Sequence, residues 1–265
     1  MAKTAKDAKL LASDRRAHIV QILETRSSAS VTYLSEELNV TPVTVRSDLS
    51  ILEQEGKLKR TYGGAIAIGQ ASALEVPLVR QGLNQEAKER IGARAAAFVD
   101  DGDTIMLDGG TTVLEFVKHL HDKRDITLVT SEFYIAECAD EHLRHAHIVM
   151  IGGSLRRDYR YTYGKLASAC IELLHADKSF LSTSSFLPHQ GFMADFEPVA
   201  RVKEQLIEHA QESYMLMDAS KVGQSGFIRF AQLSDIDTLV TDDDPDGAIR
   251  HAIERAGAHT QLCIA

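Results

Sequence analysis

Three short amphipathic segments lie near the start of the chain. Apolar residues recur three to four positions apart in 13–26, in 32–38 and in 42–55, which is the spacing of a buried helical stripe. Asn39–Val40 makes a tight turn between the second and third segments. Thr41 followed by proline is a strong helix start, because the hydroxyl caps the helix and proline loses no hydrogen bond in the first turn. The pattern predicts a helix-turn-helix.

A basic segment follows the third predicted helix. Gly56 ends that helix, and lysines then alternate with Leu58 ahead of the glycine pair at 63–64, which permits a sharp turn. We predict a hairpin that acts as a wing and contacts phosphate or the minor groove. The alternative is a solvated basic hairpin on an unrelated helical domain. Candidate DNA-contacting residues on the third helix and the wing are Thr41, Thr44, Arg46, Ser47, Ser50, Lys59, Arg60 and Tyr62.

From residue 84 onward the pattern changes to short apolar runs that alternate with amphipathic segments. A helix is predicted for 84–99, and further helices that end near Leu120 and Ala139 each follow a buried run and a polar turn. Strand, turn and helix in repetition predict an α/β domain with a mostly parallel sheet and helices on both faces. The predicted strands are 104–107, 126–129, 147–151, 178–181, 214–217 and 238–240.

The segment Asp108-Gly109-Gly110-Thr111-Thr112 comes directly after the first of these strands. Sheets of this kind bind ligands beyond the carboxyl ends of their strands. Glycines let the backbone close on a ligand, the hydroxyls donate hydrogen bonds, and a helix N-terminus favours an anion such as phosphate. The same residues fit equally well a tight turn in which Thr111 only caps the helix. The segment is neither a P-loop nor a GxGxxG motif.

Other strand ends carry similar residues. Thr130–Ser131, Gly152–Gly153 and 218–221 occupy equivalent positions, and Lys221 would bring a cation to the same edge of the sheet. The cluster 156–161 offers arginines and tyrosines that suit a phosphorylated or acidic sugar. A solvated loop or a subunit contact is an equal alternative for Arg157 and Arg160, and a weaker one for Arg156.

Charge is uneven along the chain. The whole protein of 265 residues has a formal charge of 29 − 38 = −9 and is 44% hydrophobic, so it is neither a polycation nor a disordered polymer. Residues 1–65 carry ten basic and eight acidic residues (+2), and the remainder carries 19 and 30 (−11). A DNA-binding segment with a net charge of only +2 binds DNA weakly. We therefore expect two or more copies of the chain on one duplex, in a homodimer or homotetramer.

Three scattered cysteines without a CxxC motif indicate reduced thiols. The start lacks the apolar core of a signal peptide, and no apolar run approaches the ~20 residues that span a bilayer. We expect a soluble cytoplasmic protein without a membrane partner. The eleven histidines show no metal-ligand spacing, so we expect no metal and no cofactor. The predicted organisation is a DNA-binding domain at 1–68, a linker at 69–83 and an effector-binding domain at 84–265.

A resemblance to a known family is carried by residues 31–49, VTYLSEELNVTPVTVRSDL, together with Leu52–Gly56 and Arg60–Ala65. These segments resemble the head of the DeoR family of bacterial sugar-metabolism repressors. The strand-end loops resemble that family's effector domain, which shares the fold of ribose-5-phosphate isomerase and the glucosamine-phosphate deaminases. The resemblance extends from about Arg15 to Asp242.

The resemblance implies a sequence-specific repressor of a carbohydrate-utilisation operon that a phosphorylated sugar releases from DNA. Ser131, where the family usually has Asn, is added to the effector residues because of its place at a strand end. Further departures from the family are Tyr161, Leu181–Phe186 and Met193. The effector positions matched by motif are Asp108, Gly109, Gly110, Thr111, Thr112, Thr130, Gly152, Gly153, Arg156, Gly164, Glu197, Lys203, Asp218, Ser220 and Lys221.

Two other classes of function were weighed against a repressor. A sugar-phosphate isomerase-like enzyme with an appended DNA-binding head would need a carboxylate for proton abstraction, and Glu197 or Asp108 could supply it. An isomerase, however, has no use for a DNA-reading head. A non-specific architectural DNA binder conflicts with the acidic body. The sequence identifies neither the sugar, the operator, the choice between dimer and tetramer, nor whether some genes are activated.

Overall fold

The computed structural model describes residues 12–26, 28–61, 64–67, 83–157, 159–224 and 226–265. The chain divides into two compact units, residues 1–79 and residues 80–265. The end of the predicted DNA-binding domain at 68 and the predicted linker up to 82 lie outside the described residues. Those boundaries therefore stay predictions.

The first unit contains helices and a small antiparallel sheet. The predicted helix-turn-helix and the hairpin of the wing are confirmed, and the wing strands β2 and β3 pair antiparallel. An unpredicted short strand, β1, pairs with β3 and gives the sheet order β1-β3-β2. The elements are α1 (Ala12–Arg26), β1 (Ser28–Ser30), α2 (Val31–Glu37), α3 (Pro42–Gln54), β2 (Leu58–Thr61) and β3 (Gly64–Ala67).

The core of the first unit combines an apolar cluster with one buried ion pair. Arg15 of α1 donates to Asp48 of α3 with Nε and Oδ2 2.6 Å apart, and this hydrogen bond raises the pKa of Arg15. This buried ion pair connects α1 to α3. The apolar members are Ile19, Leu23, Val31, Leu34, Leu38, Val45, Leu49, Leu52, Leu58 and Ala65.

The second unit is built on a seven-stranded sheet of order β15-β14-β12-β9-β4-β5-β6, in which every pair of neighbours is parallel. The six predicted strands are present, and one edge strand, β15, was not predicted. The carboxyl ends of all seven strands lie on one edge of this sheet. The strands are β4 (Thr104–Leu107), β5 (Thr127–Thr130), β6 (His147–Met150), β9 (Ala176–Ser182), β12 (Ala210–Leu216), β14 (Thr238–Thr241) and β15 (Gln261–Ile264).

Helices cover both faces of the sheet, as predicted. Ile105 and Leu107 of β4 pack into one apolar cluster with α4, α5 and α6, whereas Met106 packs into a second cluster with α7, α8 and α9. This alternation follows from the period of two along a strand. The helices are α4 (Gln85–Ala96), α5 (Thr111–Lys118), α6 (Phe133–His142), α7 (Lys165–Ile171), α8 (Glu197–Glu208) and α9 (Ala248–Ala256).

Five further short strands in the second unit had no clear hydrophobic pattern and were not predicted. They form one hairpin and one three-stranded antiparallel sheet beside the main sheet. The short strands are β7 (Ser154–Arg156), β8 (Tyr161–Tyr163), β10 (Ser185–Leu187), β11 (Gly191–Ala194) and β13 (Ile228–Ala231).

No helix within the described ranges is long and apolar enough to span a membrane.

Candidate functional sites

The helix α3 presents a row of polar side chains to solvent. Thr41 is its N-cap, as predicted: Thr41 Oγ1 accepts a hydrogen bond from the Thr44 amide at 3.3 Å. Arg46 and Ser47 are exposed. The Ser50 hydroxyl donates to the Arg46 carbonyl of its own helix at 2.9 Å. Arg46 and Ser47 are therefore the exposed candidates, whereas the hydroxyls of Thr41 and Ser50 already serve the helix.

One exposed apolar side chain on α3 was missed by sequence reasoning. Val43 is 72% exposed, and it lies within the first turn, beside Thr44. An apolar side chain in that place suits the methyl group of thymine. The wing residues Lys59 and Arg60 lie on β2 opposite β3, and Tyr62 lies outside the described residues.

Asp108 and Lys203 form the centre of the polar group at the strand ends of the second unit. Asp108 follows β4, and one of its carboxylate oxygens accepts hydrogen bonds from the amide and the hydroxyl of Ser182 at 3.1 and 3.2 Å. Lys203 of α8 forms an ion pair with that same oxygen and donates to the Ser182 carbonyl at 2.9 Å. Asp108 and Lys203 are 4% and 6% exposed, so two of the predicted effector residues meet in a buried pair.

The two glycines after Asp108 lie so close to the side chains of Glu132 and Ser182 that a larger residue would displace them. A Cβ on Gly109 would lie 2.2 Å from Glu132 Oε2, and one on Gly110 would lie 2.4 Å from Ser182 Oγ. Gly110, with φ of 143°, is the N-cap of α5, and no side chain caps this helix. The alternative in which Thr111 caps the helix is therefore wrong, because Thr111 is already its first residue.

Glu132 is a buried acid that sequence reasoning missed. It directly follows Thr130 and Ser131, which lie at the end of β5 as predicted and are both buried. Burial raises the pKa of Glu132 well above its ordinary value, and the Asp108 carboxylate raises it further, while Lys203 lowers it in part. The available signal was an acidic residue immediately after a strand-end hydroxyl pair.

Arg156 lies in an aromatic box formed by the β7–β8 hairpin and the start of α8. Its guanidinium carbon is 3.8 Å from the ring centre of Tyr159 and 4.1 Å from that of Phe196. Arg156 Nη1 also donates to the Tyr161 hydroxyl at 2.5 Å. Burial raises the pKa of Tyr161 to about 12 despite this cation. The neighbouring Arg157 is exposed, so the box fixes Arg156 alone of these two arginines.

Lys221 belongs to a second polar group, at the end of β12. Its Nζ lies 3.9 Å from Asp218 Oδ2, and Asn84 donates to Asp218 Oδ1 at 2.9 Å. Ser220 donates to the same oxygen. The strand β9 separates β12 from β4 in the sheet, so Lys221 pairs with Asp218 while Asp108 pairs with Lys203.

The remaining predicted residues lie around the edge of the sheet. Gly153 packs tightly, because a Cβ there would lie 2.7 Å from the Tyr163 carbonyl oxygen, whereas Gly152 is open to solvent. Glu197 is exposed at the first residue of α8. It precedes Lys203 by six residues, which is about 9 Å along a helix. Glu197 is thus exposed, unlike the buried pair of Asp108 and Lys203.

Two surface depressions, each of about 480 Å³, are lined by residues other than Asp108 and Lys203. Pro188 and His251 line the first, and Phe133 and Arg160 line the second. In the described part of the chain, no group of three or more His, Cys, Asp or Glu side chains could hold a metal ion.

Two family profiles match this chain, one in each unit. The DeoR-like helix-turn-helix domain matches residues 15–71, and the DeoR C terminal sensor domain matches residues 83–243. Together the two matches cover α3, the wing and the carboxyl ends of the strands from β4 to β14.

Full-length relatives are similar along nearly the whole chain. The uncharacterized HTH-type transcriptional regulator YulB of Bacillus subtilis is 34% identical over 246 residues, covering 92% of this chain and 94% of that protein. The HTH-type transcriptional repressor GlcR of Bacillus subtilis is 30% identical over 244 residues, covering 92% and 93%. The HTH-type transcriptional regulator GlpR of Haloferax volcanii is 30% identical over 248 residues, covering 94% and 96%.

Solved structures show a more distant similarity. A D-ribose-5-phosphate isomerase in complex with phospho-erythronic acid aligns at a TM-score of 0.40 and 17% identity, covering 52% of this chain and 54% of that chain. The eIF2B beta of Chaetomium thermophilum aligns at a TM-score of 0.41 and 11% identity, covering 82% and 56%.

Proposed function

The chain belongs to the DeoR family of DNA-binding transcription regulators, and we propose that it represses a carbohydrate-utilisation operon and leaves its operator when a phosphorylated sugar binds. The single observation that carries this proposal is the pairing, in one chain, of a capped helix with exposed Arg46 and a strand-end site built on Asp108. Neither feature alone requires the other, and their presence in one chain supports a switch controlled by a ligand.

In the first unit, the proposed base-reading residues are Thr44, Arg46 and Ser47, with Val43 placed for a thymine methyl. Arginine, hydroxyl and small apolar side chains are the groups that read base edges in the major groove. The wing would contact the DNA backbone, which positions the helix without reading sequence. Residues proposed for these backbone contacts are Lys59, Arg60 and Tyr62.

The proposed assembly is a homodimer or homotetramer. Residues 1–65 carry only 10 − 8 = +2 charges, and affinity for DNA depends strongly on the number of phosphates that a protein neutralises. Two heads on one duplex double that number. A symmetric assembly would also place two copies of α3 on a palindromic operator.

In the second unit, we propose that the phosphate of the effector binds at the N-terminus of α5. No side chain caps this helix, so the amides of its first turn suit an anion. Lys203 is already paired with Asp108, and Arg156 and Lys221 are the candidate cations for the remaining charge. The sugar hydroxyls would then meet Thr130, Ser131 and the other strand-end residues.

Release from DNA requires that the effector distinguish two states of the protein. A ligand with equal affinity for both states shifts nothing, so the sugar phosphate must bind the DNA-incompetent state more tightly. We propose that this state differs in the arrangement of the two heads, which no longer fits their half-sites.

The isomerase alternative is weaker for a structural reason. A catalytic base must be free to take a proton, but Asp108 accepts two hydrogen bonds from Ser182 and pairs with Lys203. Glu197 lies exposed at the start of α8. We therefore propose a sensor without catalytic activity. Incubation with pentose and hexose phosphates, followed by product analysis, should show no turnover.

The proposal is tested with purified full-length protein and duplexes from its own promoter region. Fluorescence anisotropy should show saturable, sequence-dependent binding that at least one phosphorylated sugar reverses. A thermal-shift screen should identify the same sugar, because a ligand that binds only the native form raises the melting temperature. The proposal would be contradicted if the protein bound none of the promoter duplexes, either with or without sugars.

A further inference from the structure

The carboxyl group of Glu132 accepts no hydrogen bond within the described part of the chain, although the residue is buried. Its residue exposure is 6%, and Oε2 lies where a Cβ on Gly109 would come within 2.2 Å. The carboxyl group therefore lies directly over the glycine loop of the candidate effector site. A buried acid without a hydrogen-bond partner is costly unless a ligand supplies one.

The backbone of Glu132 is held from both sides. Its amide donates to Thr130 Oγ1 at 3.1 Å, and Glu132 forms an antiparallel bridge with Tyr161 of β8. The amide of the next residue, Phe133, donates to the Arg160 carbonyl at 2.9 Å. The position of Glu132 is thus set by the junction of β5 with the β7–β8 hairpin.

Charged and titratable groups face Glu132 from every element packed around it. Asp108 approaches from the end of β4 and Lys203 from α8, while Arg160 and Tyr161 belong to the hairpin. Burial and Asp108 raise the pKa of Glu132, and Lys203 and Arg160 compensate only in part. An acid in this setting keeps its proton at a pH where an exposed glutamate has lost it.

We propose that Glu132 is a specificity-determining residue of the effector site, where its carboxyl group, which lies over the glycine loop, donates a hydrogen bond to an oxygen of the phosphorylated sugar. This inference rests on the proposed function of that site. A neutral acid can donate to an anionic ligand, whereas an ionised one would repel it. An amino sugar that pairs its ammonium group with Glu132 would need the opposite protonation state.

The protonation state of Glu132 determines how sugar affinity changes with pH. Affinity for an anionic sugar should fall as the pH rises through the pKa of Glu132, because the donor proton is lost. Glutamine donates the same hydrogen bond but does not titrate, so Glu132→Gln should bind without this dependence. Alanine has no donor, and Glu132→Ala should bind weakly at every pH.

The experiment is calorimetric titration of full-length protein between pH 5.5 and 8.5. The probes are ribose 5-phosphate, glucose 6-phosphate, fructose 6-phosphate and glucosamine 6-phosphate. With the sugar that binds the wild type, Glu132→Ala should lose roughly tenfold in affinity at the low end of the range, as expected for one hydrogen bond. The ratio of wild-type to Glu132→Gln affinity should decrease as the pH rises; this ratio cancels the titration of the sugar phosphate itself.

Three results would overturn the inference. If Glu132→Ala bound the sugar with the affinity of the wild type, Glu132 would not belong to the site. Loss of binding in Glu132→Gln, with glucosamine 6-phosphate as the preferred ligand, would show that the ionised carboxylate is the recognised form. Binding of none of the four probes by the wild type would refute this inference, while the promoter-duplex experiment tests the proposed function separately.

A second measurement needs no ligand. A folded-state pKa above the unfolded value of about 4.3 means that the wild type loses stability as the pH rises toward the folded-state pKa. Glu132→Gln does not titrate, so its melting temperature relative to wild type should increase over that interval. The matched control is Glu137→Gln, an exposed site on α6, which should show no such trend. A constant difference for Glu132→Gln would contradict a neutral Glu132.

Discussion

The two units place the central residues of their proposed sites in opposite environments. On α3 the side chains proposed to read DNA, Arg46 and Ser47, are exposed, and the buried ion pair Arg15–Asp48 lies in the core behind them. In the sensor unit the proposed effector residues Asp108 and Lys203 are themselves buried. Function can therefore be removed from the first unit without unfolding it, whereas in the second unit binding and stability depend on the same side chains.

The largest expected effect is the loss of the cation at the centre of the sensor unit. Lys203→Met leaves Asp108 as a buried carboxylate without its ion-pair partner, which costs about 3–5 kcal/mol in comparable cases. Urea unfolding should show this loss in the free energy of unfolding. The control is Arg201→Met on the same helix, where an exposed ion pair with Glu204 contributes no more than about 1 kcal/mol. Equal stabilities of the two variants would contradict the role of the buried pair.

The matching change on α3 should act on DNA alone. Arg46→Ala removes an exposed side chain, so the melting temperature should stay near that of wild type while operator affinity falls by about 1–3 kcal/mol per recognition helix. Anisotropy with the promoter duplex measures the affinity, and thermal shift with the sugar checks the sensor unit. Retained operator affinity would mean that the recognition surface is misplaced.

Lys221→Ala changes a side chain of the sensor unit that is partly exposed, unlike Lys203. Its Nζ lies 3.9 Å from Asp218 Oδ2. We expect unchanged operator binding and roughly tenfold more sugar phosphate needed for release, the size of one charge-assisted hydrogen bond. The measurement is the sugar concentration that releases half of the bound DNA. Release at the wild-type concentration would remove Lys221 from the effector site.

The smallest expected effect is the loss of the α3 cap. Thr41→Ala removes the acceptor of the Thr44 amide and should lower the stability of the first unit by about 1 kcal/mol. Ser47→Ala, in the same helix but not at its end, is the control and should change stability by less than about 0.5 kcal/mol. Thermal unfolding followed by circular dichroism separates the two; a Thr41→Ala variant as stable as Ser47→Ala would contradict the cap.

Local signals explain what the sequence could predict. The cap at Thr41, the stripe on α3 and the buried runs of the sheet depend on neighbouring residues, and the structure has them where the pattern placed them. The glycine loop after β4 was located for the same reason. What the sequence alone left open was whether Thr111 caps α5, which depends on the backbone conformation of Gly110.

Long-range contacts explain what it could not predict. Lys203 reaches Asp108 across 95 residues of chain, and motif matching found the two residues without showing that they form a pair. Glu132 and Ser182 belong to the site only because β5 and β9 flank β4. Strand β1 exists because three residues pair with the wing strand β3, and no periodicity in so short a segment can reveal that.

The central claim is that effector binding and operator binding oppose each other through one protein. By linkage, the factor by which a saturating sugar phosphate weakens operator affinity must equal the factor by which saturating operator weakens sugar affinity. Anisotropy gives the first factor and calorimetry with and without operator gives the second. The account predicts two equal factors well above one. Sugar affinity that does not change when the operator is bound would contradict it.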